Sequence, residues 1–138
     1  MPTLLLIEDE ENERTTLARI LERSGFEVVA VATAPEAREA MSLRRYDAVV
    51  SDVFMPGGDG LSFAREISER CPDVPIVLVS AFPFPMRQVE RMDIPRLRFL
   101  PKPVDLDGLL EALRNPDMTI PATAFQLPSL RRRHLAPR

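Results

Sequence analysis

The chain has 138 residues, is 45% hydrophobic and carries a formal net charge of −3, values that fit one compact domain, and no run approaches the roughly 18 consecutive apolar residues of a membrane span. Cys71 is the single cysteine and His134 the single histidine, which excludes an intramolecular disulfide and argues against a Cys/His zinc cluster or a Cys–His nucleophile pair, so any chemistry falls to carboxylates, hydroxyls and lysine. Residues 1–118 carry seven more acidic than basic side chains and residues 119–138 carry four arginines and no acid, so the body does not read as a surface for nucleic acid.

The start, Met1-Pro2-Thr3-Leu4, lacks the basic segment of a secretory signal, and a cytoplasmic protein without membrane attachment is expected. Thr3-Leu4-Leu5-Leu6-Ile7 is a continuous apolar run suited to a strand buried on both faces, ended by Glu8-Asp9-Glu10-Glu11. Leu17, Ile20 and Leu21 then repeat at helical spacing between Asn12 and Ser24, with Gly25 placed to end the helix. A second strand spans Glu27 to Val31. Thr33-Ala34-Pro35-Glu36 has the N-cap, first-turn proline and returning glutamate of a capping box, predicting a helix to about Arg45. The third strand, Asp47 to Ser51, stops at Asp52. The glycine-rich Pro56–Gly60 reads as a loop, Asp59 included, before a helix from Leu61 to Arg70. Pro75 to Val79 is a fourth strand stopping at Ser80, a short helix is predicted from Met86 to Met92, and Arg96 to Leu100 is a weaker fifth strand. Asp105 caps a last helix, Leu106 to Arg114. Phe82 and Phe84 read as packing residues.

Strands alternating with helices of this length imply a parallel sheet with helices on both faces. Ligands of such sheets bind beyond the carboxyl ends of the strands, where the strand order reverses. Glu8, Asp9, Asp52, Ser80 and Lys102 are therefore expected on one rim. Three carboxylates repel unless a cation joins them, and a hard divalent ion completed by a phosphoryl ligand fits oxygen donors; Mg²⁺ is the expected ion, with Mn²⁺ an acceptable substitute. One carboxylate is then a nucleophile toward phosphorus. Lys102 is the only lysine among 18 basic residues and sits between Pro101 and Pro103, with a cis Lys102–Pro103 bond expected.

At Leu6-Ile7-Glu8-Asp9-Glu10, Ser51-Asp52-Val53-Phe54-Met55-Pro56-Gly57-Gly58-Asp59-Gly60, Val79-Ser80-Ala81 and Phe99-Leu100-Pro101-Lys102-Pro103, the chain resembles the receiver (CheY-like) domain of bacterial two-component response regulators. The resemblance covers roughly residues 3–114. It implies a flavodoxin-like, doubly wound α/β fold, with five parallel strands in the order 2-1-3-4-5 and five helices. It also implies Asp52 as phospho-acceptor, Asp9 as direct metal ligand, Glu8 as a ligand through water and the Phe54 backbone carbonyl as a further ligand. Ser80 takes the switch hydroxyl position, Lys102 the phosphoryl-contacting lysine and Phe99 the rotating aromatic.

Residues 1–116 are thus expected to be a receiver domain in a stand-alone regulator. Residues 117–138 read first as a Pro/Arg-rich disordered end and second as a basic docking peptide. The implied function is Mg²⁺-dependent phosphoryl acceptance from a histidine kinase or phosphotransfer protein, followed by phosphorylation-dependent contact with an unidentified downstream protein; homodimerisation is left open. The alternative is a phosphorylation-independent interaction module. An aspartyl-phosphate phosphohydrolase would need a second aspartate where Phe54 stands, so a signalling switch rather than an enzyme is expected. Phe54 also brings no polar group beside Asp52, which implies a longer-lived phosphorylated form.

Overall fold

The computed structural model describes residues 1–82 and 85–115. Five strands, β1 (Thr3–Ile7), β2 (Glu27–Val31), β3 (Ala48–Asp52), β4 (Ile76–Ser80) and β5 (Leu97–Pro101), form a parallel sheet in the order β2-β1-β3-β4-β5. They alternate with α1 (Glu11–Arg23), α2 (Ala34–Leu43), α3 (Gly60–Arg70), α4 (Pro85–Arg91) and α5 (Leu106–Arg114). The expected flavodoxin-like order is thus realised. The order reverses between β1 and β3, and this sets the pocket.

Every residue of β1, β3 and β4 is buried. Because neighbouring side chains in a strand point to opposite faces, the apolar runs split into two cores. Leu5, Ile7, Val49, Ile76, Leu78 and Phe99 pack with Ala37, Phe63, Ile67 and Val89 of α2, α3 and α4. Leu4, Leu6, Val50, Val77 and Val79 pack on the other face with Leu21, Leu109 and Leu113 of α1 and α5. Among the described residues no helix is long and apolar enough to cross a membrane.

The local signals account for most boundaries. Thr33 Oγ1 accepts from the Glu36 N–H at 3.2 Å and donates to Glu36 Oε1 at 3.0 Å, completing the capping box. Asp105 accepts from the Gly108 N–H at 3.2 Å at the start of α5. Gly25 takes φ +105 after the Ser24 C-cap of α1, a backbone region favourable to glycine. The Lys102–Pro103 bond is cis, as expected.

Three readings are corrected. Asp59 is not a plain loop residue: it is the N-cap of α3, accepting from the Ser62 N–H at 2.8 Å, so this helix begins at Gly60 rather than Leu61. Phe54–Met55 and Gly58–Asp59 also pair antiparallel, so the Pro56–Gly60 run read as a loop contains one strand of a short hairpin. Helix α2 ends at Leu43 rather than Arg45, because Arg44 is extended (φ −162, ψ 169) and reaches back to Glu27 at 2.8 Å while its guanidinium lies 5.9 Å from the Tyr46 ring centroid. The expectations for residues 117–138, and for Phe84, lie outside the described residues.

Candidate phosphoryl and metal site

The sheet delivers the expected residues to one rim. Strand β3 is bonded through Val53 N–H to Val79 C=O at 3.0 Å, which sets Asp52 beside the end of β4. The Lys102 N–H donates to the Ser80 carbonyl at 2.9 Å, carrying the β4–β5 pairing one residue further and bringing the lysine over the pocket. Glu8 is fixed from the other side by its N–H to the Val31 carbonyl at 3.0 Å.

Single carboxylate oxygens of Glu8, Asp9 and Asp52 all lie within 4.8 Å of one another. Glu8 and Asp52 are buried and Asp9 is exposed. Lys102 Nζ stands between the buried pair, 2.9 Å from Glu8 Oε1 and 2.9 Å from Asp52 Oδ1. The Lys102 ammonium is the charge that faces the buried Oδ1 of Asp52. One ammonium offsets only part of the repulsion among three converging carboxylates, and a hard divalent cation with oxygen ligands offsets the rest. The three carboxylates therefore fit a hard divalent ion.

The titration of the cluster follows from the same crowding. Burial pushes the Asp52 carboxyl up to about 8, reinforced by its hydrogen bond to Glu8 and the Glu8 charge, against the opposing pull of Lys102. Burial pushes Glu8 up as well. In Glu8, however, the hydrogen bonds from Asp52, Lys102 and the Glu10 N–H outweigh it and hold the carboxyl below its ordinary value. Lys102 loses solvation, which favours the neutral amine, but Glu8 and Asp52 together raise its pKa above the ordinary lysine value. Without metal, Asp52 thus carries the pair's proton near neutral pH and Lys102 stays charged.

The remaining predicted residues divide. The buried Ser80 accepts the Phe82 N–H on Oγ at 3.0 Å and stands at the rim. Phe99 is packed inside, 2% exposed, on β5 beside Leu78. Phe54 lies two residues beyond the end of β3, in the short hairpin, and its side chain is about half exposed.

Three contributors were missed from the sequence. Glu13, in the first turn of α1, places Oε2 3.4 Å from Lys102 Nζ. Arg14 donates from Nη1 to the carbonyls of Glu8 (3.0 Å) and Asp9 (3.4 Å), fixing the loop that carries the acidic pair. Gly60 packs against the backbone under Asp52: a Cβ there would collide with the Asp52 carbonyl oxygen and stand 2.8 Å from Val53 Cα. Glycine at this position had a visible signal in the glycine-rich run, whereas nothing in the spacing of Glu13 and Arg14 separates them from ordinary helix-surface charges.

A family model described as the response regulator receiver domain matches residues 4–114. Over 116 residues the chain is 33% identical to the C4-dicarboxylate transport transcriptional regulatory protein DctD of Rhizobium meliloti (strain 1021), covering 84% of this chain and 25% of that protein. Over 111 residues it is 33% identical to Response regulator MprA of Mycobacterium sp. (strain KMS), covering 80% of this chain and 48% of that one. The chain therefore spans less than half the length of these curated relatives. Among solved structures, the response regulator protein TrrA of Thermotoga maritima, in complex with Mg²⁺–BeF, matches with a TM-score of 0.75 and 28% identity over 84% of this chain and 99% of that one.

Proposed function

The chain belongs to the response regulator receiver domain family, and on that premise we propose that it accepts a phosphoryl group on Asp52 with Mg²⁺ beside it. Receiver domains are phosphoryl-accepting signalling switches rather than ordinary enzymes, and the family works with histidine kinases or phosphotransfer proteins and with downstream targets. The observation that carries the residue-level reading is the convergence of the Glu8, Asp9 and Asp52 carboxylates within 4.8 Å of one another, with Lys102 Nζ 2.9 Å from both Glu8 and Asp52.

In this reading Asp9, Asp52 and the Phe54 backbone carbonyl hold the ion directly and Glu8 holds it through water. When bound, the ion offsets the repulsion of the carboxylates and polarises the incoming phosphoryl group. An Asp52 carboxylate oxygen forms a bond to phosphorus as the bond from phosphorus to the donor histidine nitrogen breaks, and the released imidazole takes up a proton. Lys102, already 2.9 Å from Asp52 Oδ1, supplies a fixed positive charge to the phosphoryl oxygens. The Ser80 hydroxyl supplies a hydrogen bond, and Phe99 changes rotamer as the β4 end shifts. In this reading the domain comprises residues 1–116, acts in the cytoplasm and signals by protein contact.

The reading is tested by intact-mass measurement after exposure to beryllofluoride or acetyl phosphate, with Mg²⁺ or with chelator, on wild type and Asp52→Asn. A single Mg²⁺-dependent adduct absent from Asp52→Asn supports it. A Mg²⁺-independent adduct, or one retained by Asp52→Asn, contradicts it.

A further inference from the structure

An apolar groove of about 320 Å³ lies between α1 and the segment that joins β5 to α5. Leu17 and Ile20 of α1 line one wall, half-buried, and Pro103 and Val104 line the other. Leu17 and Val104 rest on the core of that face of the sheet, and their uncovered surfaces form the groove. Glu8 and Glu13 stand at its end, within the run Glu8-Asp9-Glu10-Glu11-Asn12-Glu13 that opens α1. Two cations at this end are already engaged, Arg14 with the carbonyls of Glu8 and Asp9, and Lys102 with Glu8, Glu13 and Asp52. The groove is thus apolar along α1 and acidic where α1 begins.

The same chain carries a segment of matching pattern and opposite charge. Phe125-Gln126-Leu127-Pro128-Ser129-Leu130 is followed directly by Arg131-Arg132-Arg133, and residues 119–138 contain no acid. Helix α5 ends at Arg114, which donates from Nη2 to the Ser24 carbonyl at 2.9 Å, so the chain leaves α5 at the end of α1 opposite the acids. The stretch of helix from Asn12 to Ser24 is about 18 Å long, and the ten residues from Asn115 to Phe125 can span up to roughly 33 Å. Followed from Ser24 towards Asn12, the segment meets the groove in order, apolar residues first and arginines at the carboxylates. We propose that residues 125–133 dock along this groove of their own chain, with Phe125, Leu127 and Leu130 against Leu17, Ile20 and Val104, and Arg131–Arg133 on the carboxylates that open α1. Because the segment is tethered, a weak contact suffices to hold it there. Docked, it covers the face beside Lys102, and another protein reaches that face only by displacing it.

The test is paramagnetic relaxation in the full chain, with a spin label on Ser129→Cys in a Cys71→Ser background. At low salt the amide signals of Thr16, Leu17, Ile20 and Val104 are expected to weaken roughly twofold or more, while those of Ala40 and Ile67, packed on the opposite face of the sheet, hold. Two further variants separate the charged from the apolar part of the contact. The triple variant Arg131→Ser, Arg132→Ser, Arg133→Ser, and Thr16→Arg in the exposed wall of the groove, should each restore the weakened signals. Uniform weakening, no weakening, or weakening that survives both variants overturns the proposal. In a mixed sample the spin label is carried only by isotopically unlabelled copies. Weakening there means that the segment of a second copy fills the groove, and it overturns docking within one chain. Should Cys71→Ser fold poorly, the methyl shifts of Leu17, Ile20 and Val104 need no label: they are expected to differ between wild type and the triple variant Phe125→Ser, Leu127→Ser, Leu130→Ser, and identical shifts overturn the docking.

Discussion

At the scale of single residues, the pocket is a set of charges held closer than water would allow, with Lys102 as their common partner. Asp52 is the member that titrates near neutrality. Its carboxyl rises on folding from the ordinary range near ~4 to about 8, so its contribution to stability is complete at low pH and is lost as pH rises through about 8. Lys102, raised above the ordinary lysine value, and Glu8, lowered, both keep their charge through that window. In chelator, the thermal midpoint of the wild type should fall by roughly 5 °C between pH 6 and pH 9, while that of Asp52→Asn stays level. Parallel curves for the two proteins would show that Asp52 is not the group responsible. Arg14 acts one step out. Replacing it with glutamine frees the Glu8 and Asp9 carbonyls and should weaken Mg²⁺ binding by roughly tenfold, read by calorimetric titration, with little change in thermal midpoint.

At the scale of elements, the site depends on where strands stop and helices start. Gly60 opens α3 with its backbone against Asp52, so Gly60→Ala must push the β3 end or the helix start aside. A loss of about 1–3 kcal/mol in urea unfolding is expected, together with weaker Mg²⁺ binding. Thr33→Ala removes the cap of α2 and should cost about 1 kcal/mol in the same measurement. The caps at Thr33 and Asp105 were legible because their partners lie three residues away in the chain. Asp59 makes the same kind of bond to Ser62, but the glycines around it spoke for a loop, and the two-residue strands that pair beside it are too short for a periodicity to show. The end of α2 was misread for a similar reason: the Arg44–Glu27 pair spans two elements and leaves no local mark.

At the scale of the molecule, the strand order and the rim of Glu8, Asp9, Asp52, Ser80 and Lys102 were legible because a parallel sheet with helical crossovers forces strand ends to one edge. The pairings within the rim were not. Whether Lys102 meets Glu8, Asp52 or both, and that Glu13 joins them, depends on distances across 50 to 94 positions of sequence that no periodicity encodes. The Phe54–Phe82 contact belongs to the same class, and Phe82, read as packing, proved exposed. Chemical trapping of the acceptor addresses the central claim most directly: phosphorylate the full chain in Mg²⁺, reduce the acyl phosphate with borohydride and map the modified residue by tandem mass spectrometry. Phosphorylation of Asp52 predicts homoserine at position 52 and nowhere else, lost when Mg²⁺ is chelated. Reduction at another carboxylate, or no reduced residue under conditions where Mg²⁺ binds, would contradict it.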